Sequence, residues 1–318
     1  MNPRDDAHVD RTPIPSAEPN AYPKLLAPLT YAWYRGTSAV AGNVFRGPAG
    51  RRAVGAIGFA SGLALSKKRL MVARHQRRIL GPNASEAQVQ ASVTGAFRSY
   101  ARYWHEMSRI RNMVRSGELD RNLSHDGFEH FTDSVDAGKG TILVLPHLGG
   151  FEAAGAWLAA HGFPLTVVAE VVEPRSVFDW FVRIRDSIGM NVIPLGPSAL
   201  GKLAGVLRSN GVVCLLADRD LSGDGISVQF FGGTTTMPGG PAVLALRTGA
   251  RIIPAAAYFE EGQGHNVEVL PPIDTARSGT VRQDVERITQ AIADSFEHLI
   301  RKAPDQWLVM LPVWEDDE

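Results

Sequence analysis

From residue 138 onward, short apolar runs bounded by Gly or Pro alternate with stretches whose apolar residues recur every three or four positions. That alternation marks strand–helix–strand units and predicts an α/β fold, a central, mostly parallel sheet flanked by helices. The runs place strands at 141–145, 165–169, 191–195, 212–217, 251–258 and 267–270. Helical periodicity falls between most of them, at 150–160, 176–188, 198–208, 240–248 and 281–301. Residues 142–145 and 212–217 are apolar without a break, as strands covered on both faces require. A helical region precedes this core. Its best-marked helix begins near Ser85, which stands at capping-box spacing from Gln88, and runs to about Val114. Val89, Val93, Phe97, Tyr100, Trp104, Met107 and Val114 follow at steps of three, four or seven, the period of one face packed in a core.

Composition fits one large domain or two small ones: 318 residues, 44% hydrophobic, 21% charged and a formal net charge of zero. The single cysteine, Cys214, excludes an internal disulfide and favours a reducing compartment; inside a strand it reads as a small buried hydrophobe. Zero net charge conceals a polarised chain. Residues 21–99 carry twelve Lys and Arg against Glu86 alone, and the residues between those charges include Leu25, Tyr31, Trp33, Ile57, Phe59 and Leu63. Apolar spacers suit an anionic membrane surface better than nucleic acid; the competing reading is a solvated helical face over the core. The longest uncharged stretch here, residues 53–66, is only 14 residues long and Gly/Ala-rich, short of the roughly 20 apolar residues of a spanning helix. The acidic, proline-containing start has no apolar centre and is expected to be a disordered leader. The expected organisation is therefore a leader over 1–22, a single domain over 23–315 with a basic helical region (23–115) and an α/β core (138–315), and a frayed acidic tail over 316–318.

Ligands of open α/β sheets bind beyond the carboxyl ends of strands, which directs attention to three points. The first apolar strand delivers His147 at its tip and then starts a helix through Gly149, Gly150 and Glu152. Five residues across such a turn can return Glu152 to the imidazole and make His147 a general base, while Gly149 and Gly150 would offer N–H groups to an oxyanion or phosphate. The competing reading is a histidine that caps the strand, with Glu152 favoured only by the helix dipole. The second point is Asp218-Arg219-Asp220, directly after another buried strand: a carboxylate for His147 and a cation for phosphate, or a self-contained salt bridge. The third is Glu170, with Arg183 and Arg185 on the next helix, either an ion pair between sheet and helix or a ligand contact. No serine-hydrolase elbow, zinc helix or phosphate-binding P-loop occurs, and no histidine pair has metal-ligand spacing. A His–carboxylate pair without a marked nucleophile suits direct transfer to an acceptor hydroxyl.

This histidine motif, set behind a basic helical region, resembles the lipid A lauroyl/myristoyl acyltransferase-like family with its H-x-x-x-x-[DE] signature. A closer likeness, to the phosphatidylinositol mannoside acyltransferases, rests on Gln76-Arg-Arg-Ile-Leu-Gly-Pro, Ser99-Tyr-Ala-Arg-Tyr-Trp-His-Glu, Arg185-Asp-Ser-Ile-Gly-Met, Leu216-Ala-Asp-Arg-Asp-Leu, Phe230-Phe-Gly-Gly and Met237-Pro-Gly-Gly-Pro-Ala, spread over about residues 25–315. The resemblance implies a hydrophobic acyl groove, acyl-CoA as co-substrate with no other cofactor, and a peripheral enzyme on the cytoplasmic side of the inner (plasma) membrane. It further implies transfer of a long chain, typically palmitoyl, to a mannose hydroxyl of phosphatidylinositol mannoside. On this likeness His147 is the base, Glu152 the acidic member of its motif and Asp218 a further carboxylate. Glu170 and Arg185 would line the site as a charged pair, with Gly149, Gly150, Arg219 and Asp220 contacting substrate. The alternatives are a thioesterase-like hydrolase and a non-catalytic lipid-binding protein on the same fold.

Overall fold

The computed structural model describes residues 47–171, 174–221 and 223–317. The expected leader and the first part of the basic region lie outside them. Three helices come first: α1 (Gly47–Ala64), α2 (Ser66–Leu80) and α3 (Glu86–Arg115). The Ser85–Gln88 capping box is formed on both sides, so the predicted start of α3 is the observed one. The small residues of 53–66 have a packing reason. A Cβ at Gly58 would lie 2.6 Å from the Phe97 carbonyl oxygen, so α1 approaches α3 more closely than a side chain would permit.

The rest of the chain forms β1 (Leu123–Asp126), β2 (Thr141–Leu145), β3 (Leu165–Ala169), β4 (Met190–Pro194), β5 (Val212–Leu216), β8 (Arg251–Phe259) and β9 (His265–Val269), with a separate hairpin, β6 (Ile226–Phe230) and β7 (Gly233–Met237). The intervening helices are α4 (Glu118–Asn122), α5 (Phe128–Asp136), α6 (Phe151–Ala160), α7 (Arg175–Asp186), α8 (Ala199–Arg208), α9 (Gly240–Thr248) and α10 (Val281–Lys302). The main sheet has seven strands in the order β1-β9-β8-β2-β5-β3-β4. Only the β8–β9 pair is antiparallel.

Six strand starts or ends shift from the sequence reading by one or two residues, and five elements, α4, β1, α5, β6 and β7, were absent from it. Strand β1 is short and largely exposed and carries little apolar pattern, whereas α5 does place Phe128, Phe131 and Val135 at helical steps within only nine residues. The β6–β7 hairpin did leave a trace: Ile226, Val228 and Phe230 alternate with exposed Ser227 and Gln229. Its two-residue turn puts both Phe231 and Gly232 at positive φ, the conformation that matches hairpin twist.

The sheet is covered on both faces, which explains the unbroken apolar runs. Ile142 and Val144 of β2 pack with α8, α9 and α10 on one side. Leu143 and Leu145 pack with α3, α5, α6 and α7 on the other. A third cluster joins Val72 of α2, Val93 and Phe97 of α3, and Met310. Burying each such side chain contributes roughly 1.5–3 kcal/mol.

The acidic tail is not frayed where the structure describes it. Glu315–Asp317 form a 3₁₀ turn, and Asp317 is buried. Its Oδ2 accepts from the backbone of Val313 and Trp314 and lies 3.0 Å from His75 Nε2. His75 itself sits between the rings of Trp307 and Trp314. Composition pointed to solvent for this tail; a buried imidazole and two backbone donors pull one acid inward. Asp317→Ala is expected to cost about 3 kcal/mol, because it strands those donors in the interior. Chemical denaturation measures it, and a loss below about 0.5 kcal/mol would mean that the tail does not hold α2 to the core.

Candidate active site

Register builds the central pair. Strands β2 and β5 are parallel neighbours with Leu145 opposite Leu216. His147 and Asp218 each lie two residues beyond those partners, so they emerge side by side at the carboxyl edge of the sheet. His147 Nδ1 is 2.6 Å from Asp218 Oδ1, and the His147 backbone N–H donates to Asp218 Oδ2 at 2.8 Å. Trp307 Nε1–H donates to the same oxygen at 2.8 Å. The carboxylate is fully buried and the imidazole 26% exposed. Burial alone would push the Asp218 carboxyl up, but the His147 charge and the hydrogen bonds from His147 and Trp307 outweigh it and hold it below the usual carboxylate range. With Nδ1–H directed at Asp218, the free lone pair is on Nε2.

Glu152 is not the partner of His147. It is buried in the first turn of α6 and takes both its bonds from Arg185 of α7: Nη2–H to Oε1, and Nε–H to Oε2 at 3.3 Å. Burial would lower the Arg185 pKa, but the Glu152 charge and hydrogen bonds prevail and hold it above its ordinary value. Sequence spacing allowed the turn to fold back on His147. The backbone decides otherwise, because His147 N–H is fixed on Asp218 and His147 C=O accepts from Leu308 N–H at 2.8 Å. Arg185 therefore pairs with Glu152 rather than with Glu170, which stands exposed at the end of β3.

The expected glycine donors are also committed elsewhere. Gly149 N–H donates to the Gln306 carbonyl at 2.9 Å and Gly150 N–H to the Ala257 carbonyl at 2.7 Å. These glycines anchor the turn to β8 and to residues 304–306 instead of facing a ligand. Gly149 is at φ +56°, and a Cβ there would run into Ala257 O, so only glycine fits. Asp220 is likewise occupied: it accepts from Gly223 N–H, Gly225 N–H and Thr236 Oγ1–H, shaping the lead into the hairpin. No internal salt bridge forms within Asp218-Arg219-Asp220 among the described residues, and Arg219 faces open space beside His147.

Two cavities meet at His147. The larger, about 400 Å³, is walled mainly by aliphatic side chains such as Leu200, Leu203, Leu215 and Leu244, with Glu170, Arg185 and Arg219 as its charged members. The smaller, about 280 Å³, is walled by Tyr100, Tyr103, Trp104, Phe151 and residues 308–311. Tyr103, His147 and Arg219 belong to both. The stripe on α3 thus has two uses: Val89, Val93, Phe97 and Met107 are core, whereas Tyr100 and Trp104 are half-buried cavity wall. Burial, followed by the Glu152 charge, raises the Tyr103 pKa and keeps that hydroxyl neutral. Burial also pushes the Cys214 thiol up to about 12, so it is no nucleophile at neutral pH. Among the described residues, no group of three or more His, Cys, Asp or Glu could hold a metal ion.

Trp307 was not singled out in the sequence. A buried tryptophan needs an acceptor for its N–H, but which acceptor is a tertiary matter. Asp218→Asn keeps the shape and removes the charge, so kcat is expected to fall about 10³-fold or more, as other His–carboxylate pairs do when the acid is neutralised. Glu152→Gln is expected to lower stability by about 3 kcal/mol while leaving the acid limb of the pH–rate profile in place. A shifted acid limb in Glu152→Gln would reverse the assignment. Folding lowers the Asp218 pKa, so its ionisation stabilises the fold at neutral pH and that contribution is lost as pH falls below about 4 and through the folded value. Asp218→Asn should accordingly unfold with a shallower acid dependence. Trp307→Phe removes one donor from a charged acceptor, with an expected loss of about tenfold in kcat at unchanged KM. A KM effect alone would assign Trp307 to packing.

Comparison with known proteins identifies the family. The bacterial lipid A biosynthesis acyltransferase family matches residues 24–316. A phosphatidylinositol mannoside acyltransferase of Mycolicibacterium smegmatis is 41% identical over 228 residues, 71% of this chain and 73% of the relative. One from Mycobacterium tuberculosis is 40% identical over 231 residues, 71% of each chain. A lipid A biosynthesis acyltransferase of Haemophilus influenzae is 22% identical over 233 residues, 72% of this chain and 70% of the relative. Matching elements therefore extend from the basic helices to the C-terminal segment that holds Trp307, and the chain belongs to the bacterial lipid A biosynthesis acyltransferase family.

Proposed function

We propose that this protein moves a long acyl chain, palmitoyl in the first instance, from acyl-CoA to a mannose hydroxyl of a phosphatidylinositol mannoside. The observation that carries the reading is the His147–Asp218 pair at the junction of two cavities of different character. His147 Nε2 takes the proton from the acceptor hydroxyl while its oxygen attacks the thioester carbonyl. The new C–O bond forms as the C–S bond breaks, and the imidazolium returns the proton to the departing CoA sulfur. Asp218 fixes the imidazole tautomer and stabilises the cation, a role worth about 10²–10⁴-fold in rate for the acid–base step as a whole. The aliphatic cavity, within the usual size range of small-molecule sites, takes the acyl chain. Glu152 holds Arg185 in its wall.

The substrate lipid lies in a membrane, and the basic helices suit attachment to its anionic cytoplasmic face. Among the described residues no helix is long and apolar enough to cross a bilayer. Helices α1 and α2 instead expose Ile57, Phe59, Leu63, Leu65 and Leu70, each between 42% and 66% accessible, beside Lys67 and Lys68. Apolar side chains next to lysines are the composition of an interfacial anchor.

Purified protein given palmitoyl-CoA is expected to release CoA only when phosphatidylinositol mannoside is present, with a product heavier by one acyl chain. His147→Ala should lose about 10³-fold of that rate. Release at full rate without acceptor would establish a hydrolase instead, and binding without any release a lipid carrier.

A further inference from the structure

The smaller cavity differs from its neighbour in both wall and opening. Tyr103 stacks on Phe151 with ring centroids 5.2 Å apart, and Trp104 stands edge-on to Tyr103 at 5.4 Å and to Tyr100 at 6.1 Å. Phe151 in turn meets the His147 ring edge-on at 5.9 Å. A continuous aromatic wall thus leads to the base. Flat ring faces of this kind pack against the C–H faces of a sugar, whereas the wall of the larger cavity is mainly aliphatic, with Phe178 and Phe181 besides the shared Tyr103. The cavity also includes Lys68, which lies in the first turn of α2 and makes no ion pair among the described residues. Lys68 does not border the aliphatic cavity. It immediately follows the exposed apolar stretch that includes Leu63 and Leu65.

Apolar surface, cation, aromatic wall and base follow one another in the order of the parts of a phosphoglycolipid: acyl tails, phosphodiester, sugar, reacting hydroxyl. The geometry points to the smaller cavity as the acceptor site, with Lys68 binding the acceptor's phosphodiester at the membrane surface and thereby setting how far the sugar reaches toward His147. This rests on the acceptor class proposed above and adds the residue that selects a phosphate-bearing glycolipid. Lysine serves here as a point charge with mobile donors, which suits a phosphodiester approached from a bilayer.

Lys68 is exposed, so Lys68→Gln leaves the fold intact, and its neighbour Lys67, which borders neither cavity, provides a control with the same change in net charge. Kinetics are measured in neutral detergent micelles, where membrane surface charge plays no part, varying phosphatidylinositol mannoside and palmitoyl-CoA in turn. Lys68→Gln is expected to raise KM for the glycolipid about tenfold, the loss of one charge-assisted hydrogen bond, with KM for palmitoyl-CoA unchanged. Lys68→Arg should restore most of the loss, and Lys67→Gln should behave as wild type. A rise in KM for palmitoyl-CoA would place a CoA phosphate at Lys68 and overturn the assignment. Equal losses in both Gln variants, or none in Lys68→Gln, would overturn it as well. Absence of transfer by the wild type would remove the acceptor reading itself, and this inference with it.

Discussion

One buried negative charge organises the carboxyl edge of the sheet. Asp218 is excluded from water, and an isolated carboxylate there would cost several kcal/mol or would take up a proton. It remains ionised because three donors converge on it: the His147 ring, the His147 backbone and the Trp307 indole. Those donors come from the β2 tip and the segment after α10, and the acceptor from the β5 tip, segments far apart in sequence. Satisfying the carboxylate therefore fixes the relative positions of two adjacent strands and the C-terminal segment at once. Leu148 and Trp307 form a backbone bridge, and Leu308 N–H closes on His147 C=O, so the same clamp holds His147 at both its ring and its main chain.

A second layer supports that clamp. Gln306 bonds the main chain of Phe259 in both directions, and its carbonyl accepts from Gly149 N–H. Gln76 of α2 donates to Pro304 C=O at 2.9 Å, and His75 touches both tryptophans. The basic helices thus bear on His147 through the C-terminal segment as well as facing the solvent. A region that reads from its charge as a membrane attachment also carries part of the scaffold of the site.

The two acidic residues near His147 divide the work by environment. Asp218 faces the imidazole, whereas Glu152 neutralises Arg185, a partly buried cation beside the aliphatic cavity. Leaving Arg185 unpaired against that apolar wall would be costly, so a carboxylate in the first turn of α6 is needed even though it never reaches the imidazole. The H-x-x-x-x-E spacing consequently records two separate pairings, His147 with Asp218 and Glu152 with Arg185, joined by a glycine turn whose own N–H groups are spent on holding it to β8 and residues 304–306.

Local pattern determined much of this protein. Apolar runs and helical periods marked most strands and helices of the core to within a residue or two, because burial on both faces of a sheet leaves a continuous hydrophobic signal. The same pattern drew attention to His147 and Asp218, since both follow such runs directly. The short elements, α4, β1, α5 and the β6–β7 hairpin, escaped because each offers too few repeats of its period to stand out from the loops around it. Partner choice was a tertiary decision. Whether Glu152 or Asp218 would meet the imidazole depended on the register of β2 against β5, which no spacing along the chain encodes. Trp307 and Lys68 became visible only when the C-terminal segment and α2 were brought to the sheet edge, and the glycines and Asp220 lost their expected ligand roles because nearby backbone groups reached them first. Sequence specifies which groups must be buried or solvated; only the packed chain specifies which of the available partners satisfies each one.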